Sequence, residues 1–211
     1  MVQMIVLPEL DVEIRTCPKV LSTSLKSLAF RLENGFDFTP FIAKGKPWTV
    51  HKAYQTRPFS QQKPSGATIR ICFVRDPVER LLSAYSNRVL RRHETEDVEF
   101  QALKAHGLYD ETSLEIFLAH LKTYRDRVPT IKHHTDPQVT YLGRDSAYYT
   151  HVFNIGEVRV FEELMADLAG SDIRLPHQQR SSRRSIKTTW FQRRAIKRFY
   201  KMDYQVFGRY F

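Results

Sequence analysis

The sequence has few cysteines and no long apolar run. Only Cys17 and Cys72 occur in 211 residues, each at the end of a predicted strand. A small secreted scaffold would use more cysteines, so we expect two buried, reduced thiols. The apolar start of the chain is short and lacks a basic flank, and no later run approaches the length that spans a bilayer. These absences predict a soluble, cytoplasmic protein without stable membrane insertion.

Acidic residues are also scarce compared with basic ones. Asp and Glu number 23 against 33 Lys and Arg, which gives a formal net charge of +10. This balance favours an anionic partner such as nucleic acid, a membrane surface, a nucleotide or an acidic polymer, while a basic surface kept for solubility is the alternative. Predicted strands alternate with helices, so we expect an α/β fold: a single domain over residues 1–211, with a central parallel sheet flanked by helices and a P-loop-like nucleotide site.

Glycine is missing from the stretch with the first anion-site signal, Arg15–Lys26. A predicted strand, Val12–Thr16, leads through Pro18 and Lys19 into a hydroxyl cluster and a helix that stops at Gly35. Backbone N–H groups, a helix N-terminus and a lysine together can hold a phosphate, although the same residues also suit an ordinary helix cap. The missing glycines disfavour an ATP or GTP hydrolase, whose loop needs G-x-x-x-x-G-K-[ST]. The hydroxyl residues are Ser22, Thr23 and Ser24.

A second stretch strengthens the prediction of an anion site. The β-branched and aromatic run Thr68–Val74 predicts a buried strand that delivers Arg75 to the carboxyl edge of the sheet, where α/β proteins bind ligands. Asp76 as N-cap and a proline at the first helical position then start a helix that carries Ser83. An arginine fork and a hydroxyl can converge on one phosphate; a structural ion pair of Arg75 with Asp76 or Glu79 is the alternative.

These two stretches resemble motifs of the sulfotransferase superfamily, most closely its carbohydrate O-sulfotransferase branch. P-K-V-L-S-T-S at 18–24 is similar to the family's 5′-phosphosulfate loop, and F-V-R-D-P-V-E-R-L-L-S-A-Y at 73–85 to its 3′-phosphate motif. H-H-T-D-P-Q at 133–138, H-V-F-N-I-G-E-V at 151–158 and D-Y-Q-V-F-G at 203–208 add weaker likeness. The resemblance covers roughly residues 10–210. It departs from the family at Leu21, where a small residue, often glycine, is usual and where a left-handed backbone would strain a leucine.

The resemblance implies the donor 3′-phosphoadenylyl sulfate (PAPS), no metal, and transfer of a sulfuryl group to a hydroxyl. The expected partner is a carbohydrate or other hydroxyl-bearing acceptor, anionic ones included, and no nucleic acid. The implied 5′-phosphosulfate residues are Pro18, Lys19, Ser22, Thr23 and Ser24. The implied 3′-phosphate residues are Arg75 and Ser83. A late basic loop, including Arg183, is expected to close over the nucleotide or to contact an anionic acceptor.

Sulfuryl transfer also needs a charge partner and a base. Lys19 is the candidate that neutralises charge on the leaving phosphate oxygen. His51 is the first candidate for the base, because histidine suits neutral pH and its place before the Arg75 strand resembles that of the base histidine in uronic-acid 2-O-sulfotransferases. His133, His134 and the carboxylate of Glu79 are the alternatives. No cysteine or carboxylate cluster joins the histidines at metal-ligand spacing.

Three other functions stay open at this point. A nucleic-acid-binding function would fit the positive net charge, but the sequence contains no recognised nucleic-acid-binding module. A related kinase is disfavoured, because the sequence lacks both the Gly-Lys loop and a Mg²⁺-site motif that a kinase would need. A degenerate, inactive family member is compatible with Leu21.

The remaining predicted elements are a loop over 35–47, a short strand over 48–54, a helix over 112–123, no clear period over 125–144, a strand over 148–155, and helices over 162–168 and 189–207.

Overall fold

The computed structural model describes residues 4–90, 113–176 and 186–211. The chain forms two compact units. The first comprises the described residues of Met1–Arg75, Gln138–Gln179 and Val206–Phe211, and the second those of Asp76–Pro137 and Arg180–Gln205. The strands are β1 (Ile5–Leu7), β2 (Val12–Arg15), β3 (Phe41–Ala43), β4 (Lys46–Trp48), β5 (Ile69–Val74) and β6 (His151–Asn154). The helices are α1 (Ser22–Asn34), α2 (Val50–Ala53), α3 (Pro77–Arg88), α4 (Leu114–Ala119), α5 (Leu121–Arg127), α6 (Pro129–Thr135), α7 (Gln138–Leu142), α8 (Val158–Ala169), α9 (Trp190–Phe199) and α10 (Lys201–Phe207).

The first unit is built on a four-stranded sheet in the order β1-β2-β5-β6. Strands β2, β5 and β6 are parallel, as predicted, with Arg15 opposite Cys72 and Val74 opposite Asn154. The edge strand β1, which the sequence did not predict, runs antiparallel to β2. The β5 strand has neighbours on both sides, and its last four residues are buried and apolar, as expected for a parallel strand covered on both faces. Both cysteines are buried free thiols, and their predicted state is confirmed.

One buried ion pair lies inside this sheet. Arg15 Nε donates to Glu13 Oε1 over 2.6 Å, with both side chains fully buried. Burial acts to raise the pKa of Glu13, but hydrogen bonds from Ser65, Tyr148 and Arg15 outweigh it and hold that pKa below its usual range. Removing one partner of such a pair strands a buried charge, so the pair fixes this part of β2.

The second unit is helical. Asp76 caps α3 by accepting from the N–H groups of Val78 and Glu79, and Pro77 occupies the first helical position, as predicted. The helix buries Val78, Leu81 and Tyr85 in a core whose other members include Phe117, Tyr124, Ile131, Ile196 and Tyr200. Among the described helices of the chain, none has the length and apolar character needed to cross a bilayer.

Several predicted segments differ from the structure. The expected loop 35–47 contains the β3–β4 hairpin, whose two-residue turn at Lys44 and Gly45 has positive φ at both positions. That geometry defines a type I′ turn, but Lys-Gly is a weaker signal for it than Asn-Gly. The expected strand 48–54 ends at Trp48 and gives way to α2, a single helical turn.

The helices expected over 112–123 and 189–207 begin near their predicted starts but break along their lengths. The helix expected over 112–123 begins after Ser113, breaks at His120 and continues as α5. The segment 125–144 contains α6 and α7. The helix expected over 189–207 breaks at Tyr200, whose buried hydroxyl donates to the carbonyl of Thr135. The expected strand 148–155 is reduced to β6, whereas α8 is longer than expected and ends at Gly170.

Candidate active site

A tight loop joins β2 to α1 and adopts left-handed backbone at two positions. Lys19 has φ +67° and Leu21 has φ +52°, while the Val20 N–H donates to the carbonyl of Cys17. The conformation that would strain a leucine is therefore present, at a cost of roughly 1–2 kcal/mol. Leu21 is also the N-cap residue of α1 and supplies no side-chain cap. The first N–H groups of α1 therefore lack the capping oxygen that Ser, Thr, Asp or Asn would give.

The structure brings Lys19 and Arg75 together. Arg75 directly follows β5, the parallel neighbour of β2, and its Nη1 lies 3.5 Å from the carbonyl oxygen of Lys19. Both residues are half-buried. A guanidinium, a lysine and an uncapped helix N-terminus thus meet at the carboxyl ends of two adjacent strands, where parallel sheets bind ligands.

Gln138 holds the backbone that carries Arg75. Its side-chain oxygen accepts from the Arg75 N–H over 3.1 Å, and its side-chain nitrogen donates to the Arg75 carbonyl over 2.9 Å. The Gln138 side chain is fully buried, so both bonds are shielded from water. Sequence reasoning assigned no role to this residue, although the quoted motif H-H-T-D-P-Q ends on it.

His51 lies against the hydroxyl cluster of α1. Its Nε2 is 3.0 Å from Thr23 Oγ1, and its Nδ1 is 3.2 Å from Lys26 Nζ. The short helix α2 places the ring there, and the residue itself is exposed. An imidazole that is both accessible and held at its two nitrogens is suited to moving a proton.

Lys26, like Gln138, is a residue of this site that sequence reasoning missed. It is 2% exposed, and its Nζ donates to Thr56 Oγ1 over 2.8 Å. Thr56 Oγ1 in turn lies 2.8 Å from Thr16 Oγ1. Burial lowers the pKa of Lys26 to about 7. A lysine next to the apolar face of a helix usually extends into water, and only the three-residue spacing from Thr23 could have indicated a shared face.

The other predicted site residues are distributed over both units. Pro18 and Ser24 are buried, and Ser22 and Thr23 half-buried, around the start of α1. Ser83 is half-buried in α3 of the second unit. The remaining site prediction, Arg183, lies outside the described residues. The roles of all these residues stay predictions.

The alternative bases have other partners in the second unit. His134 Nδ1 lies 2.7 Å from the Thr130 carbonyl, and its Nε2 lies 2.7 Å from Arg88 Nη2. Glu79 faces Arg193 at 3.9 Å. Across the described ranges, no three His, Cys, Asp or Glu side chains are grouped so that they could hold a metal ion.

A comparison with known protein families identifies the family of this chain. The model of a family described as the sulfotransferase family matches residues 2–210. The chain belongs to the sulfotransferase family. No curated protein and no solved structure matches it. Membership confirms the superfamily resemblance and supports sulfotransfer to a hydroxyl-bearing acceptor as the general activity of this sulfotransferase.

Proposed function

We propose that this sulfotransferase moves the sulfuryl group of PAPS to a hydroxyl of a carbohydrate or glycoconjugate. The contact between Arg75 and the Lys19 carbonyl carries the proposal, because it joins the two motifs that resemble the halves of a PAPS site. The N-terminus of α1, which has no side-chain cap, adds backbone N–H donors at the same edge of the sheet.

The donor is divided between the two motifs. Lys19, with the α1 hydroxyls and N–H groups, holds the 5′-phosphosulfate, and Pro18 shapes the loop around it. Arg75 and Ser83 hold the 3′-phosphate, and Arg183 adds positive charge. A sulfuryl group carries less charge than a phosphoryl group, so a lysine and backbone donors can stabilise the in-line transition state without a metal.

His51 is the proposed base. Its Nε2 takes the proton of the acceptor hydroxyl while that oxygen bonds to sulfur and the bond from sulfur to the bridging phosphate oxygen breaks. Lys19 neutralises the charge left on that oxygen. Thr23 supports this assignment, because its hydroxyl contacts Nε2 and belongs to the loop proposed to hold the sulfuryl group. General-base catalysis of this kind contributes ~10²–10⁴-fold.

An exposed aromatic pair supports a sugar as the acceptor. The rings of Phe41 and Trp48 stack with centroids 6.0 Å apart on the hairpin that leads into α2. Their exposed faces can pack against the apolar face of a sugar ring. Lys52 Nζ lies 5.3 Å from the Trp48 ring centroid, and Lys44 and Lys46 are exposed on the same hairpin, which favours an anionic acceptor.

Donor binding can be tested without an acceptor. Thermal unfolding with 3′-phosphoadenosine 5′-phosphate, beside AMP and ATP, should show stabilisation by the bisphosphate alone. Ligand at 100 times its dissociation constant adds ~2.7 kcal/mol. Arg75→Ala should abolish the shift, whereas Arg144→Ala, at an exposed arginine, should retain it. Equal shifts with all three nucleotides, or none, would contradict the proposal, and salt-sensitive binding of a DNA duplex would then favour the nucleic-acid alternative.

Leu21 favours one alternative, a family member that binds the donor without turnover. Its left-handed backbone brings a bulky side chain into a loop where the family usually has a small residue. Leu21→Gly relieves the strain, and the change in transfer rate separates the alternatives. Little change is expected if the native loop is competent, whereas activity that appears only in Leu21→Gly would show that the native chain is degenerate.

A further inference from the structure

A buried amine stands behind the proposed base. Lys26 extends from α1 with 2% exposure, and its Nζ lies 3.2 Å from His51 Nδ1 and 2.8 Å from Thr56 Oγ1. The opposite ring nitrogen, Nε2, lies 3.0 Å from Thr23 Oγ1. The buried amine of Lys26 therefore holds the imidazole at Nδ1, and Nε2 faces the hydroxyl of Thr23 at the start of α1.

The surroundings of this amine disfavour a positive charge. Within the described ranges Lys26 forms no ion pair, and burial is the cause of its low pKa. The groups that face Nζ are His51 from α2 and the hydroxyl of Thr56, which is bonded to Thr16. Of these only His51 titrates. Since a buried charge without a partner is costly, the neutral amine is the form that this setting stabilises.

The two protonation states of Lys26 impose opposite tautomers on His51. A charged ammonium can only donate, so Nδ1 must accept and Nε2 carries the proton. A neutral amine can donate to Thr56 and still accept the Nδ1 proton, which leaves the lone pair on Nε2. Only the second arrangement gives a base on the side of Thr23.

We propose that Lys26 is a positioning residue that accepts the Nδ1 proton of His51 and so presents Nε2 as the base. This inference rests on the proposed function of His51. When Nε2 takes the acceptor proton, the imidazolium that forms keeps its Nδ1–H bonded to a neutral amine rather than facing a second cation. In a Ser-His-Asp triad a carboxylate holds the histidine in the correct tautomer and orientation. Here the neutral amine of Lys26 does this for His51.

Nitrogen NMR of the imidazole rings tests the inference without donor or acceptor. The chain has eight histidines, and His51→Gln identifies the signals of His51. At a pH above 8, the wild-type ring should be protonated at Nδ1. Lys26→Arg retains a permanent donor and should move the proton to Nε2. Lys26→Met removes the acceptor and should also lose the Nδ1-protonated pattern, whereas Thr56→Val keeps the amine beside Nδ1 and should retain it.

The result separates this inference from the proposed function. A wild-type ring protonated at Nε2, or ring signals unaltered in both Lys26 variants, would overturn the inference even if the bisphosphate binds. The predicted tautomers without any bisphosphate binding would support the Lys26–His51 pairing and contradict the PAPS site. If Lys26→Met fails to fold, Lys26→Arg still tests the inference, because the ring proton of His51 should move from Nδ1 to Nε2 in that variant.

Discussion

Replacing the buried Lys26 by methionine should make the protein more stable, and by an amount that depends on pH. Methionine fills similar space without an amine, so Lys26→Met removes the cost of burying a charge. It also removes the hydrogen bond to Thr56 and the contact with His51, which offsets part of the gain. The pH dependence distinguishes the two contributions, since only the charge titrates with Lys26.

The magnitude follows from the pKa of Lys26, about 7 in the folded protein against 10.5 for an ordinary lysine. Between these values the unfolded chain binds more protons than the folded one, so the free energy of unfolding rises with pH. At or below pH 7 the cost is almost fully present, at ~4–5 kcal/mol. From pH 7 to pH 9 the wild type should regain ~2 kcal/mol of it, and Lys26→Met should not.

Urea unfolding of both proteins at several pH values between 7 and 9 measures this difference. The stability advantage of Lys26→Met should shrink by ~2 kcal/mol across that range. Lys122→Met is the control, because the Lys122 side chain is 91% exposed and its substitution should leave the pH dependence unaltered. A difference between wild type and Lys26→Met that stays constant with pH would refute the reasoning, since the amine would then keep one protonation state throughout.

Three further predictions test other parts of the account. Gln138→Leu should weaken bisphosphate binding ~10-fold, measured by calorimetry, because the Arg75 backbone loses both of its bonds to the Gln138 side chain; unaltered affinity would show that Gln138 does not position Arg75 for the ligand. Trp48→Ala should raise the acceptor KM several-fold while bisphosphate affinity stays constant, and a loss of bisphosphate binding instead would contradict its acceptor role. Arg15→Met should lower the free energy of unfolding by ~3–5 kcal/mol, with much of it recovered when Glu13→Gln is added; urea unfolding measures both, and an additive double variant would argue against the pair.

The positions of the two motifs that we propose to bind PAPS were predictable because each motif is local. A strand, a loop and a helix start follow one another within about a dozen residues, and a parallel sheet must place two such loops at one edge. Leu21 was predictable in the same way, because its backbone conformation is a property of that loop. The sequence therefore indicated both the edge of the sheet where the motifs lie and the backbone strain at Leu21 in the loop before α1.

The supporting residues were not predictable, because long-range packing creates them. Lys26 becomes buried only when α2 and the segment at Thr56 pack against α1, and no local pattern encodes that contact. Gln138 is separated from Arg75 by a whole helical unit along the chain. The breaks at His120 and Tyr200 likewise occur inside periodic segments, where tertiary contacts override helix periodicity.

Transfer of radioactive sulfate from labelled PAPS to a panel of neutral and acidic oligosaccharides tests the central claim most directly. The wild type should label at least one acidic oligosaccharide, and His51→Gln should lower the rate ~10²–10⁴-fold while still binding the bisphosphate. Lys19→Ala should also lose transfer. A wild-type protein that binds the bisphosphate but labels no sugar, or a His51→Gln variant as fast as the wild type, would contradict the account.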